Sequence, residues 1–267
     1  MAELLKANFL TNLTYYRRSR LLLAFMIVFL CLTGLESLPI FFSGSGVQIF
    51  NALHQIFSTL NEFLLVFAAG LGLFVISSHL RSRSLKMVFT KPCPPALWLA
   101  AAFASAVGVS LLLNTVILGS ALVVSLVWHV PVRAGLLFVS LDNSVASVGL
   151  IAYLMLLATL VHPAIAVTFA VIFNADMFYS VYTWTLAVVR SGNSSATMRF
   201  LNGIFHYLYL ILPMVHAVGR KTESVYTSLR VVRGDWKYLL YSLGYVLVLS
   251  AFCYTMALFA LQRKKHI

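Results

Sequence analysis

Charge is scarce in this chain, and negative charge is scarcer still. Charged residues make up 10% of the 267, and Asp plus Glu number 7 against 19 Lys plus Arg. A soluble domain carries about a quarter charged residues, so this chain cannot cover itself with a charged surface. Cysteine is also rare. Cys31, Cys93 and Cys253 are spaced neither as a disulfide framework nor as a zinc site. There is no Gly-x-x-x-x-Gly-Lys-Ser/Thr loop to cradle phosphates and no stretch fit for the soluble sheet that carries one. If ATP powers this protein, another chain holds it. His-Glu-x-x-His and Gly-x-Ser-x-Gly are likewise missing, so intramembrane hydrolysis has no support. No catalytic, cofactor-binding or metal-ligating residue is expected, and the protein is read as a non-enzyme.

What the chain has in abundance is apolar length. Hydrophobic residues make up 61%, the mean hydropathy is +0.94, and runs longer than the roughly 18 residues needed to cross a bilayer recur throughout. The runs are continuous rather than alternating, which points to an all-α polytopic membrane protein and away from a β-barrel. The formal charge of +12 does not imply nucleic acid. The bases cluster at the ends of apolar runs, where anionic lipid headgroups are their partners. Arg17-Arg18-Ser19-Arg20 ahead of Leu21 to Leu32 has the look of a signal sequence. The run continues to Phe42 with no Ala-x-Ala site, so a retained first span is expected.

Residues 1–20 precede that span. Leu5, Phe9, Leu13 and Tyr16 form a helical stripe with Glu3, Lys6 and Asn12 off it, as in a helix lying in the headgroup plane. Six spans follow, at about 21–42, 56–78, 96–126, 135–160, 163–189 and 238–261. Ser43-Gly44-Ser45-Gly46, Pro92-Cys93-Pro94-Pro95, His129-Val130-Pro131 and His162-Pro163 punctuate them. Arg17, Arg18 and Arg20, then Arg81, Arg83, Lys86 and Lys91, then Arg263-Lys264-Lys265 all belong on the cytoplasmic side, which requires an even number of crossings. Both termini are then cytoplasmic. Residues 200–218 are apolar enough to tempt a seventh span, but a crossing there would send the basic tail outside. They are read instead as a re-entrant helical segment within an extracytoplasmic stretch, 190–237. The whole chain, 1–267, is one membrane domain.

Acids inside spans are expensive and invite a functional reading. Glu62, Asp142 and Asp176 are candidates for a pathway or gate. The alternative places Glu36 and Glu62 near the outer surface and gives Asp142 and Asp176 to interhelical bonding, helped by Asp142-Asn143-Ser144 and Asn174-Ala175-Asp176. His54, His79, His129 and His162 map to span ends, and His206 and His216 lie too far apart for one metal, so the histidines read as interfacial. Phe178, Tyr179, Tyr182 and Trp184 suit either an interfacial aromatic belt or a lipid-like path.

The connector after the second span is the most informative stretch. On a short helix, Leu85, Val88 and Phe89 share one apolar face. Arg81, Arg83 and Lys86 hold it near the anionic leaflet, and Pro92, Pro94 and Pro95 redirect the chain into the third span. The alternative for this face is that it dips into the headgroups.

In its order of parts the chain resembles the ABC-2 type permeases, the membrane subunits of one class of ATP-binding-cassette exporters. The likeness rests on the N-terminal helix, the connector, Phe89-Thr90-Lys91-Pro92 followed by Trp98, Tyr209-Leu210-Ile211-Leu212-Pro213, and the basic end Gln262-Arg263-Lys264-Lys265. Many members carry an acid just after span two, where this chain has His79-Leu80-Arg81-Ser82-Arg83. The resemblance implies a permease in the bacterial cytoplasmic (inner) membrane, surrounded by membrane lipids. A second permease copy or related permease would pair with it, and cytoplasmic ABC ATPase subunits would hold ATP and Mg. Residues 79–95 would then be the coupling segment, with Leu85, Lys86, Val88, Phe89, Lys91 and Pro92 meeting the ATPase. Two other readings stand beside it: a non-transporting membrane anchor or assembly subunit, and an ion-coupled secondary carrier using Asp142 or Asp176. The cargo is left open among lipids, drugs, glycans and peptides.

Overall fold

The computed structural model describes residues 2–18, 20–42, 46–81, 94–127, 129, 134–163, 165–166, 168, 175–191, 195–211 and 231–265. Among them the fold is eight helices: α1 (Ala2–Arg18), α2 (Leu21–Phe42), α3 (Gly46–Arg81), α4 (Pro95–Val127), α5 (Ala134–Leu160), α6 (Ala175–Arg190), α7 (Ala196–Ile211) and α8 (Arg233–Lys265). No strand occurs among the described residues. Four helices are long and apolar enough to cross a membrane: 55–74 within α3, all of α4, all of α5, and 233–263 of α8. A fifth results if α1 and α2, bent by 55° at their junction, form one span. Arg20 sits at that junction with φ 59°.

Local chemistry sets several of the ends. Pro95 occupies the first turn of α4, where its missing N–H costs nothing, and the Pro94 carbonyl accepts from the N–H groups of Leu97 and Trp98. The Asp235 carboxylate accepts from the Val232 N–H at 2.7 Å and so fastens the start of α8. The Ser195 hydroxyl caps α7 at the Met198 N–H, 3.3 Å away. Glu3 in the first turn of α1, and Arg17 and Arg18 in its last, match the helix dipole.

α5 is the central helix, packed against α3, α4 and α8. Small residues let it be central: Ser140, Ala146, Ser147, Gly149, Ala152 and Ala158 are all buried. Directions follow from which residues meet. Asn61 meets Asn143 and Gly72 lies against the Ile151 backbone, so α3 and α5 run the same way. The Phe138 ring stands edge-on to Trp236 at 5.4 Å, and Gly149 lies under Val246, so α5 and α8 also run the same way. Asn114 meets Ser140 while Leu99 and Phe103 share a small cavity with Ala152 and Met155, so α4 runs opposite. The ends of α3, α5 and α8 and the start of α4 therefore share one end of the bundle. There the Tyr254 hydroxyl donates to the Ala96 carbonyl at 2.7 Å.

The packed face of α1 differs from the expected stripe. Its buried residues are Asn12 and Tyr16, while Leu5 is exposed. The Phe9 ring lies over Gly108, and the Tyr16 hydroxyl lies 3.5 Å from the Leu71 carbonyl with Ser105 as a further partner. Asn12, expected off the buried stripe, is on it. The small residues Ser105 and Gly108 give α1 a protein surface with polar groups to pack on, which a stripe of apolar residues alone does not reveal. α6 and α7 form an antiparallel pair. Phe178 packs against Phe205, Tyr182 against His206, and the Asn202 amide donates to the Tyr182 carbonyl and the Thr185 hydroxyl.

Candidate functional site

Polar groups inside an apolar bundle are the natural place to look for function. One layer of them joins three helices. Asn143 on α5 donates from Nδ2 to Oδ1 of Asn61 on α3 at 3.0 Å. Asn61 in turn donates to its own helix at the Phe57 carbonyl. On the adjacent face of α5, Asn114 of α4 donates to the Ser140 carbonyl at 2.6 Å and to the Ser144 hydroxyl. Ser144 and Ser147 close back onto the carbonyls of Ser140 and Asn143. Asn61, Asn114 and Asn143 are each 3% exposed.

The layer lies well inside the helices. Nine residues separate it from the start of α5, about 14 Å at 1.5 Å per residue, and about 26 Å of α5 lie beyond it. Between membrane-length helices, association rests on close packing and such interhelical bonds, each worth about 0.6 kcal/mol on average. Two buried oxygens near this level on α4, Oδ1 of Asn114 and Oγ of Ser110, have no hydrogen-bond partner among the described residues.

Asp142 is 1% exposed but does not belong to the amide layer. It lies two positions from both Ser140 and Ser144, about half a turn around α5. That is the side of Phe138 and Gly149, which meet α8. Ser242 of α8, also buried, lies between Trp236 and Val246 on the facing stretch. Asp142 is thus a carboxyl group at the α5–α8 seam, and Asn143 beside it serves the α3 seam.

Glu62 follows Asn61 in sequence and turns the other way, so that its side chain is exposed. Of the three acids singled out in the sequence, Glu62 and Asp142 are therefore not brought together. Glu62 is on the open face of α3, Asp142 is between α5 and α8, and Asp176 is in the first turn of α6 with its side chain outside the described residues. Leu85, Lys86, Val88, Phe89, Lys91 and Pro92, expected to meet an ATPase, also lie outside the described residues. The flanking helix ends are described, and both Arg81 and Pro95 are at the end of the bundle reached by the C-terminus of α8. The aromatic group divides: Phe178 and Tyr182 pack onto α7, and Tyr179 and Trp184 are exposed.

Asn61 and Asn114 escaped the sequence reading. Their signal was an asparagine within a membrane-length helix, which identifies a polar position without its partner. Among the described residues no group of three or more His, Cys, Asp or Glu could hold a metal. Comparison of the chain with protein-family models, with curated proteins and with solved structures finds no match.

Proposed function

We propose that this chain is the membrane-spanning permease subunit of an ATP-binding-cassette exporter of the ABC-2 type, driven by a separate cytoplasmic ATPase that holds ATP and Mg. In this reading the chain crosses a bacterial cytoplasmic membrane six times with both termini inside. α1 lies at the inner interface, residues 190–237 lie outside with a re-entrant helical segment, and 79–95 couple to the ATPase. A second copy of this chain, or a related permease, completes the path, and Glu62, Asp142 and Asp176 are its pathway or gating candidates.

The observation that carries the reading is the shared end of the bundle. α3 ends at Arg81 and α4 begins at Pro95 at the same end where α8 finishes beyond Arg263, and α3, α5 and α8 are parallel. A basic connector emerging beside a basic C-terminus gives a partner one continuous cytoplasmic face.

Capture of the ATPase tests it. Phe89 is the anchor of the connector's small apolar face, so Phe89→Ala should weaken capture from solubilised membranes by about 1–3 kcal/mol, and Leu85→Asp should weaken it as well. Membrane insertion should be unchanged in both. A wild-type chain that captures no ATPase, or variants that capture it as well as wild type, would overturn the assignment.

One observation favours a second reading, an ion-coupled carrier: the deep burial of Asp142 between α5 and α8. Asp142→Asn keeps size and hydrogen bonding but removes the charge. Gradient-driven transport by this chain alone, abolished by that change, would select the carrier. Survival of ATP-driven transport in Asp142→Asn, with loss in Asp142→Leu, would keep Asp142 as a packing group.

A further inference from the structure

α3 has one face that no other described helix covers. Gln55, Glu62 and Val66 are exposed, Val66 to 70%, and Ser58, Thr59, Ala69 and Gly70 are half-buried. At 100° per residue these positions fall in one strip along the helix. Its borders are set by packing. On one side Phe63 and Phe67 meet Phe25 of α2 at 5.4 and 4.6 Å. On the other, Asn61 is bonded to Asn143 of α5. The strip is polar from Gln55 to Glu62, then small and apolar from Val66 to Gly70, where a Cβ would meet open space.

The level of Glu62 is fixed by its neighbour. Asn61 belongs to the amide layer about 14 Å inside α5, and both residues lie within the apolar span 55–74. Glu62 makes no ion pair among the described residues. A carboxylate at this depth facing lipid tails costs several kcal/mol, so such groups face water-filled cavities or a counter-charge. Three neutral hydrogen-bonding side chains on the same strip argue for a wetted face rather than a lipid-facing one.

We propose that this strip of α3 is a ligand face, taking an amphiphile whose ammonium headgroup meets Glu62 and whose apolar tail runs over Val66, Ala69 and Gly70. Charge complementarity selects the headgroup. Glu62 supplies the negative charge, Gln55, Ser58 and Thr59 supply neutral hydrogen-bonding groups, and no cation of α3 shares the strip. The small residues leave width for a tail. The inference rests on the permease reading, since it makes α3 a wall of the transport path, and it names the class of cargo that wall would accept.

The test uses the whole chain in phosphatidylcholine nanodiscs, without an ATPase. The probes are a dansyl-labelled dodecylammonium and the dansyl-labelled alcohol of the same chain length. The expected result is saturable ammonium binding about tenfold tighter than alcohol binding, lost in Glu62→Gln and kept in Glu62→Asp. Val66→Trp, which fills the strip and leaves the carboxylate in place, should block the probe, so the outcome does not hang on one variant's folding. Equal binding of the two probes, wild-type binding by Glu62→Gln, or no binding above empty nanodiscs would overturn the proposal. So would disulfide cross-linking of two copies through Val66→Cys with the probe shut out, which would make the strip a subunit contact. Glu62-dependent binding without ATPase capture would sink the permease reading alone, and capture without Glu62-dependent binding would sink this one alone.

Discussion

Asn143 and Asn61 are joined amide to amide at 3.0 Å, 82 residues apart in the chain. This bond fixes the rotation of two parallel helices about each other. Two residue pairs along this seam are then set together, Asn61 with Asn143 and Gly72 with Ile151, while Gly149 of α5 meets Val246 on the separate α8 seam.

Asn143→Leu leaves Asn61 Oδ1 buried without its donor and should destabilise the bundle by about 1–3 kcal/mol. Asn61→Leu should cost a similar amount, and the double variant less than the sum. Reversible unfolding in mixed micelles, analysed as a double-mutant cycle, should return a coupling near 1 kcal/mol. Strict additivity would mean that the bond contributes nothing.

A Cβ at position 72 would lie 3.0 Å from the Ile151 carbonyl oxygen and 3.2 Å from its Cα, backbone atoms that cannot turn aside. Gly72→Ala should therefore cost about 1–3 kcal/mol by forcing α3 and α5 apart. Gly70→Ala, two residues earlier in open space, should be neutral or stabilising by up to about 1 kcal/mol through helix propensity. Thermal midpoints of the two variants should move in different directions, or at least by clearly different amounts.

Replacing Cys31, Cys93 and Cys253 gives a background for single cysteines. On intact cells a membrane-impermeant thiol reagent should label positions 193 and 222 and spare 265. Labelling of 265 without permeabilisation, or silence at 193 and 222, would remove the six-crossing topology.

Tyr254→Phe deletes the hydroxyl that holds α8 to the first turn of α4. The loss should be about 0.5–1.5 kcal/mol, the net worth of one hydrogen bond. Cross-linking efficiency between cysteines placed at 99 and 257, which line one small cavity at this seam, compared with Tyr or Phe at 254, reports its opening directly.

The long helices were legible because composition decides them: a run too apolar for water becomes a membrane-length helix, and Pro95 marks where α4 begins. Helix α1 shows where that logic stops. The stripe Leu5, Phe9, Leu13 and Tyr16 identifies an apolar face, but the neighbour it meets carries Ser105 and Gly108, and the packed face shifts to include Asn12. The site was half-legible for a similar reason. Asp142-Asn143-Ser144 announces a polar point on α5, yet which of the three turns to α3, α4 or α8 depends on partners far away in sequence. Glu62 could be named as an unusual acid. That it lies on an open strip, one residue from a buried amide, is a fact of helix packing.

The order in which the seams form has a consequence for synthesis. The helix that covers the Asp142 and Gly149 side of α5 is synthesised after α1 to α7. Until α8 emerges, a buried carboxyl group and a small-residue groove have only lipid for company. The nascent protein must wait through the whole stretch from 161 to 232 before its central helix is enclosed. A chain cut short before Arg233 therefore presents an uncovered acid inside the bilayer, a feature by which membrane quality control can tell a chain lacking α8 from one that has it.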